Sequence, residues 1–131
     1  MSKKNNFNKK IIFLAYREWA KNTINQLIKK INFKSYYFFN NQRKFEKFFG
    51  NKKDFLIILI GWSNILNPKI VRDNVCMGIH PSDLPNFKGG SPIQNQILKN
   101  VINTKSTLFK LNNKIDDGNI YGKVKLNLSG N

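Results

Sequence analysis

Asp54-Phe55-Leu56-Ile57-Ile58-Leu59-Ile60 (DFLIILI) is apolar at every position after the first. A strand with one face in water alternates apolar and polar residues, because successive side chains point to opposite sides of the sheet. A strand with no such alternation is of the kind buried on both faces of a parallel sheet. Val75–Ile79 (VCMGI) is a second run of this kind, and Pro68 to Asp73 between the two predicts one short helix. Upstream, Lys10–Tyr16 (KIIFLAY) reads as a strand, and Arg17 to Lys30 carries Trp19, Ile24, Leu27 and Ile28 at helical spacing. Ser35–Phe39 (SYYFF) is aromatic and strand-like, and Asn40 to Phe49 places Phe45, Phe48 and Phe49 on one helical face before Gly50 ends it. Alternating strands and helices predict an α/β fold, a mostly parallel sheet flanked by helices with right-handed crossovers. Ligands of such sheets gather beyond the carboxyl ends of the central strands.

The 131 residues suit one domain, taken as 1–131, and 40% hydrophobic with 23% charged residues is a globular composition. No apolar run reaches membrane-spanning length. The start, Met1 to Lys10, is polar and basic, and the apolar segment after it is broken by Arg17 and Glu18, so no signal peptide is read and a cytoplasmic protein is expected. One cysteine (Cys76) and one histidine (His80) leave no metal-ligand cluster, and no metal is expected. The formal charge of +16 would suit an anionic partner. Only Arg17, Arg43 and Arg72 are arginines, however, and the lysines are spread along the chain, whereas bidentate phosphate sites favour arginine. Abundant Asn, Ile, Lys and Phe are also what an AT-rich coding sequence yields, so the charge reads as compositional first.

After Val75–Ile79 comes His80 to Gly90 (HPSDLPNFKGG), whose two prolines and two glycines predict a long loop. Ser91 is placed as the N-cap of a helix running to about Val101, with Pro92 in its first turn and Gln94 completing a capping box. Thr104–Leu111 and Ile120–Leu128 read as strands around the polar turn Asn112–Gly118. A lone histidine is more often structural than catalytic, but His80 sits at a strand's carboxyl end, where ligands bind. Asp116 and Asp117 by themselves read as an ordinary solvated turn.

Taken together, Gly78 to Lys123 (GIHPSDLPNFKGGSPIQNQILKNVINTKSTLFKLNNKIDDGNIYGK) resembles the folate-dependent formyltransferases. This family includes enzymes acting on methionyl-tRNA, on glycinamide ribonucleotide and on amino sugars. In it a strand ends in Asn-x-His, a loop like HPSLLP-x-x-RG-x-x-P opens a helix, and an Asp-x-Gly turn precedes the next strand. His80, Leu84-Pro85, Gly89, Pro92 and Ile115-Asp116-Asp117-Gly118 occupy the matching places in order. Gly61–Pro68 (GWSNILNP) looks like the segment lining the family's pterin pocket, and Lys10–Ala20 like its first strand and loop.

The resemblance implies a Rossmann-like fold, short at the C-terminus, and transfer of a formyl group from 10-formyltetrahydrofolate to a substrate amine. It makes His80 and Asp116 the catalytic pair, and Asn64, Ile65, Leu66, Ile115 and Asp117 the folate contacts. Ser82, Lys88, Gly89 and Gly90 form the substrate loop, Lys88 standing where the family has arginine. The chemistry fits these residue types. Attack of an amine on the formyl carbon creates an oxyanion and a surplus proton, which call for hydrogen-bond donors and an acid/base group such as histidine. A neighbouring carboxylate orients the ring and relays the proton through water.

One position departs from the pattern. The family's asparagine, two residues before the histidine, is Gly78, which has no amide to offer the oxyanion; a backbone N–H, a water, Asn74 or Gln94 are the substitutes to weigh. The sequence stops at Leu128-Ser129-Gly130-Asn131, just past the last motif. From this length an amino-sugar nucleotide is the expected acceptor. Methionyl-tRNA, which the charge favours, and a non-catalytic folate- or nucleotide-binding role are the alternatives. No membrane partner is expected, and a homodimer stays open.

Overall fold

The computed structural model of the chain describes residues 10–31 and 35–130. Of the basic stretch Met1 to Lys10, only Lys10 falls among them. The elements follow as β1 (Lys10–Leu14), α1 (Glu18–Ile31), β2 (Tyr36–Phe39), α2 (Gln42–Phe49), β3 (Phe55–Leu59), α3 (Pro68–Asp73) and β4 (Val75–His80), then α4 (Pro92–Leu98), β5 (Asn103–Lys110) and β6 (Ile120–Asn127). They build one six-stranded sheet in the order β2-β1-β3-β4-β5-β6. The first four strands in that order are parallel, and β5 and β6 are antiparallel additions. This is the expected Rossmann-like α/β architecture.

The unbroken apolar runs are explained by what covers each face. Ile11 and Phe13 of β1 pack with Leu56 of β3 against Ala20 and Ile24 of α1. Ile12 and Leu14, one residue out of step, pack with Ile57 and Leu59 against Phe45 and Phe49 of α2 and Ile70 of α3. Phe45 and Phe49 are essentially inaccessible, each contributing ~1.5–3 kcal/mol of burial. Asn41 caps α2 by accepting the Lys44 N–H at 3.1 Å, and Gly50 closes it at φ 51°, a left-handed conformation glycine adopts without strain. Asn67 caps α3 in the same way, with Pro68 following.

Two local expectations fail. Ser91 lies at φ 51° and ψ 48° and makes no side-chain cap, and Gln94 is exposed, so the capping box does not form. A capping side chain needs an extended backbone to reach back to the helix N–H groups, and the incoming loop imposes a left-handed one. Trp19, placed with the apolar face of α1, is 56% exposed; its ring lies against Gly61, where a Cβ would approach Trp19 Cζ2 to 2.8 Å. Among the described residues, no helix is long and apolar enough to cross a membrane.

Candidate active site

The geometry of β4 sets the position of His80. Cys76, Gly78 and His80 share one face of the strand, and His80 pairs across the sheet with Thr107 of β5. The ring is 7% exposed. Its Nε2 donates to Phe87 O at 2.7 Å, and its Nδ1 lies 3.5 Å from Asp116 Oδ2. Both neighbours are acceptors, so a doubly protonated imidazole satisfies both and a neutral one satisfies a single contact.

Asp116 reaches the histidine because the chain after β5 folds back along that strand. A Cβ on Gly118 would stand 1.5 Å from Lys110 O, so only glycine permits the approach that lets Asn119 O accept the Lys110 N–H at 2.8 Å. Asp116 itself sits at φ 51°, a conformation aspartate tolerates better than most residues. Its Oδ2 also accepts the Gly89 N–H at 2.7 Å, so one carboxylate oxygen joins the histidine to the loop. Asp117 faces outward and pairs with Lys88 at 2.5 Å, both about two-fifths exposed. The Lys88 ammonium holds the Asp117 carboxyl below its ordinary range.

The loop after His80, expected to meet the substrate, is anchored by residues with no motif signature. Thr107 Oγ1 donates to Ser82 O at 2.7 Å, and Ser82 Oγ donates to Asn86 O at 2.7 Å, so the buried Ser82 shapes the loop from within. Gln96, fully buried in α4, donates its Nε2 to Pro81 O at 2.8 Å and Pro92 O at 2.9 Å. Sequence reasoning selected neither Thr107 nor Gln96. Thr107 reads as an ordinary strand residue and Gln96 as one polar helix residue among several, and only the fold puts both against the loop. Gly90 remains at the loop's exit, its carbonyl accepting from Asn95 Nδ2 at 3.2 Å.

Leu84, Pro85, Lys88, Asp116, Asp117, Gly118 and Ile120 line a hollow of ≈ 240 Å³ beside this cluster. That is smaller than the ~300–1,000 Å³ of sites that enclose a whole ligand, and suits one ring or one end of a substrate. The expected folate segment behaves unevenly. Ile65 is 79% exposed and Ile115 is also exposed, both presenting free apolar surface, and Asn64 is exposed as well. Leu66 is buried in the core with residues of α2 and α3. Among the described residues, no hydrogen bond or ion pair links Asn64–Leu66 to the His80 cluster; Ile65 O instead meets Gln42 Nε2 at 3.4 Å.

At Gly78 an added Cβ would lie 3.1 Å from Leu111 Cδ1 and 3.2 Å from two carbons of the Phe109 ring. The room an asparagine would need is thus taken up by apolar side chains. Asn74 does not replace its amide: its Oδ1 accepts the Phe55 N–H at 3.0 Å and its Nδ2 donates to Ile70 O at 2.9 Å, at the opposite end of β4 from His80. Gln94 is exposed on α4 and, among the described residues, makes no hydrogen bond to the His80 cluster.

The chain is 32% identical over 81 residues to the methionyl-tRNA formyltransferase of Rickettsia typhi, the match covering 60% of this chain and 27% of that protein. The solved methionyl-tRNA formyltransferase from Clostridium thermocellum superposes with a TM-score of 0.76 at 27% identity, over 92% of this chain and 54% of that one. A sugar N-formyltransferase from Shewanella sp superposes with a TM-score of 0.68 at 18% identity, over 90% and 57%, a likeness of fold alone. The chain therefore spans about a quarter to a little over half the length of these relatives. The family model described as formyl transferase matches residues 9–129, a span that takes in every strand of the sheet, the loop after His80 and the turn that carries Asp116. By that match the chain belongs to the formyl transferase family.

Proposed function

We propose that the chain transfers the formyl group of 10-formyltetrahydrofolate to the amine of methionyl-tRNA. The observation that carries the reaction is the pairing of His80 with Asp116 at the carboxyl end of β4, under a loop tied to the same carboxylate. The amine nitrogen bonds to the formyl carbon, whose oxygen gathers negative charge. The bond from that carbon to N10 of the folate then breaks, the amine giving up one proton and N10 accepting one. His80 supplies an N–H to the oxyanion once Phe87 O gives way, and Asp116 orients the ring and takes the amine's proton through water. Phe87, whose carbonyl holds the ring in this structure, sits at φ 55°, an unfavourable backbone for a bulky residue.

The acceptor follows from likeness in sequence: the proteins from Rickettsia typhi and Clostridium thermocellum, both above 25% identity, carry methionyl-tRNA in their names. An amino-sugar nucleotide is the second reading because the ≈ 240 Å³ hollow beside Asp116 suits a compact amine. The test offers purified chain both acceptors with 10-formyltetrahydrofolate at low and physiological salt. Formylmethionyl-tRNA formation that falls steeply as salt rises is expected. A higher kcat/KM for the sugar nucleotide moves the assignment to that acceptor. Binding of reduced folate with no transfer to either acceptor replaces the enzyme by a binding protein.

A further inference from the structure

In the β5–β6 pairing Lys105 stands directly opposite Lys125, and Thr107 opposite Lys123. Alternate residues of a strand share a face, so the three lysines lie on the same side of the sheet as Thr107, where residues 82–84 cross it. There Lys123 Nζ donates to Leu84 O at 2.7 Å and pairs with Asp83. Lys123, and to a lesser degree Lys105, hold the Asp83 carboxyl below its ordinary range. That carboxylate is engaged by Lys123; among the described residues neither Lys105 nor Lys125 forms an ion pair.

Like charges placed directly opposite on neighbouring strands repel, and an anion between them turns the repulsion into attraction. The two lysines border a concavity of ≈ 520 Å³, lined also by Asp83, Asn103, Thr104 and Asn127. This is room for a small ligand group. Lys105 is two residues beyond Thr107, the residue opposite His80, which places it roughly 7 Å further along the sheet. The lysine excess of the chain is dispersed, but here two lysines face each other across a groove whose one carboxylate, Asp83, is paired with Lys123, beside the loop that covers the histidine.

We infer that this groove is a phosphate subsite, in which Lys105 and Lys125 clasp a phosphoryl or phosphodiester group of the acceptor on the order of 10 Å from His80. The subsite stands apart from formyl transfer itself; only the identity of the molecule that carries the phosphate rests on the proposed function.

The test compares Lys105→Gln/Lys125→Gln with Lys29→Gln/Lys30→Gln, which removes the same charge from α1 on the opposite face of the sheet. The probes are a fluorescein-labelled RNA hairpin with a single-stranded 3′ tail and, as competitor, inorganic pyrophosphate. The groove variant is expected to bind the RNA about tenfold more weakly at low salt, and its log–log salt slope to flatten by roughly 1–2, while the α1 variant stays within about two-fold. Its melting temperature without ligand should be no lower than the parent's, and the rise that pyrophosphate gives the parent should vanish. Loss of pyrophosphate binding alone supports the subsite and assigns its phosphate to a small substrate; loss of RNA binding alone supports it and assigns the phosphate to RNA. Equal losses in both double variants, or no loss of either probe in the groove variant, overturn it. A chain that binds through the groove yet transfers no formyl group leaves the subsite standing and removes only the enzyme reading.

Discussion

Asp116→Asn tests the site with little other disturbance, because asparagine accepts the left-handed backbone at φ 51° as readily as aspartate does. Two interactions of Oδ2 weaken. The Gly89 N–H at 2.7 Å keeps an oxygen acceptor but loses its charge, a change from ~1.5–3 to ~0.5–1.5 kcal/mol, so about 1 kcal/mol is lost. Toward His80 Nδ1, 3.5 Å away, the ring loses its charged acceptor where the side chains are only 9% and 16% exposed, so water compensates little. Breaking a fully buried pair costs ~3–5 kcal/mol, and this longer, partly open one on the order of 2 kcal/mol. The total of ~3 kcal/mol lowers kcat/KM by about 150-fold when all of it is needed in the transition state, and by about 5-fold when only the ~1 kcal/mol of the Gly89 contact is. Asp117→Asn, which breaks only the exposed pair with Lys88, should stay within a few-fold of the parent. Initial rates of formyl loss from 10-formyltetrahydrofolate, with urea unfolding to confirm that each variant is folded, decide the matter. A greater loss in Asp117→Asn, or parental activity in folded Asp116→Asn, would refute the assignment.

His80→Asn should lower transfer by ~10²–10⁴-fold while the affinity for a reduced folate, measured by calorimetry, changes little; retained transfer would remove the imidazole from the mechanism. Gly78→Asn, which restores the family's residue, should destabilise the fold by about 1–3 kcal/mol in urea unfolding because Phe109 and Leu111 fill the space, and trimming Phe109 to Leu in the same chain should recover part of the loss. Gly118→Ala places a Cβ against Lys110 O, so it should displace the turn and lower transfer about as far as loss of Asp116 does; a folded Gly118→Ala chain with parental rates would show that the turn has another route to His80.

Much of the fold was legible because its signals are local. DFLIILI and VCMGI announce strands covered on both faces, and Gly50 and the Asn67-Pro68 step close and open helices through backbone preferences that act over one or two residues. The same local rules misread Ser91 and Gln94, where the loop dictates a left-handed backbone, and Trp19, whose helical spacing carries no record of where the core ends. Leu66 shows the limit from the other side. Its neighbour Ile65 is open to solvent while it is buried, and an apolar pair in a loop does not reveal which member turns inward.

The amino-acid sequence by itself determined the alternation of strands and helices, the parallel character of the sheet's centre and the short set of residues able to do acid/base chemistry, since residue type and order along the chain suffice for these. The tertiary structure alone decided that Phe109 fills the room beside Gly78, that Thr107 and Gln96 hold the loop, that Lys105 confronts Lys125, and how near Asp116, which the resemblance had already selected, comes to His80. Each of these depends on strand register or on a chain folding back over tens of residues. A one-residue slip in the register of β5 would turn Lys105, Thr107 and Phe109 to the other face, and no local pattern records which register is adopted.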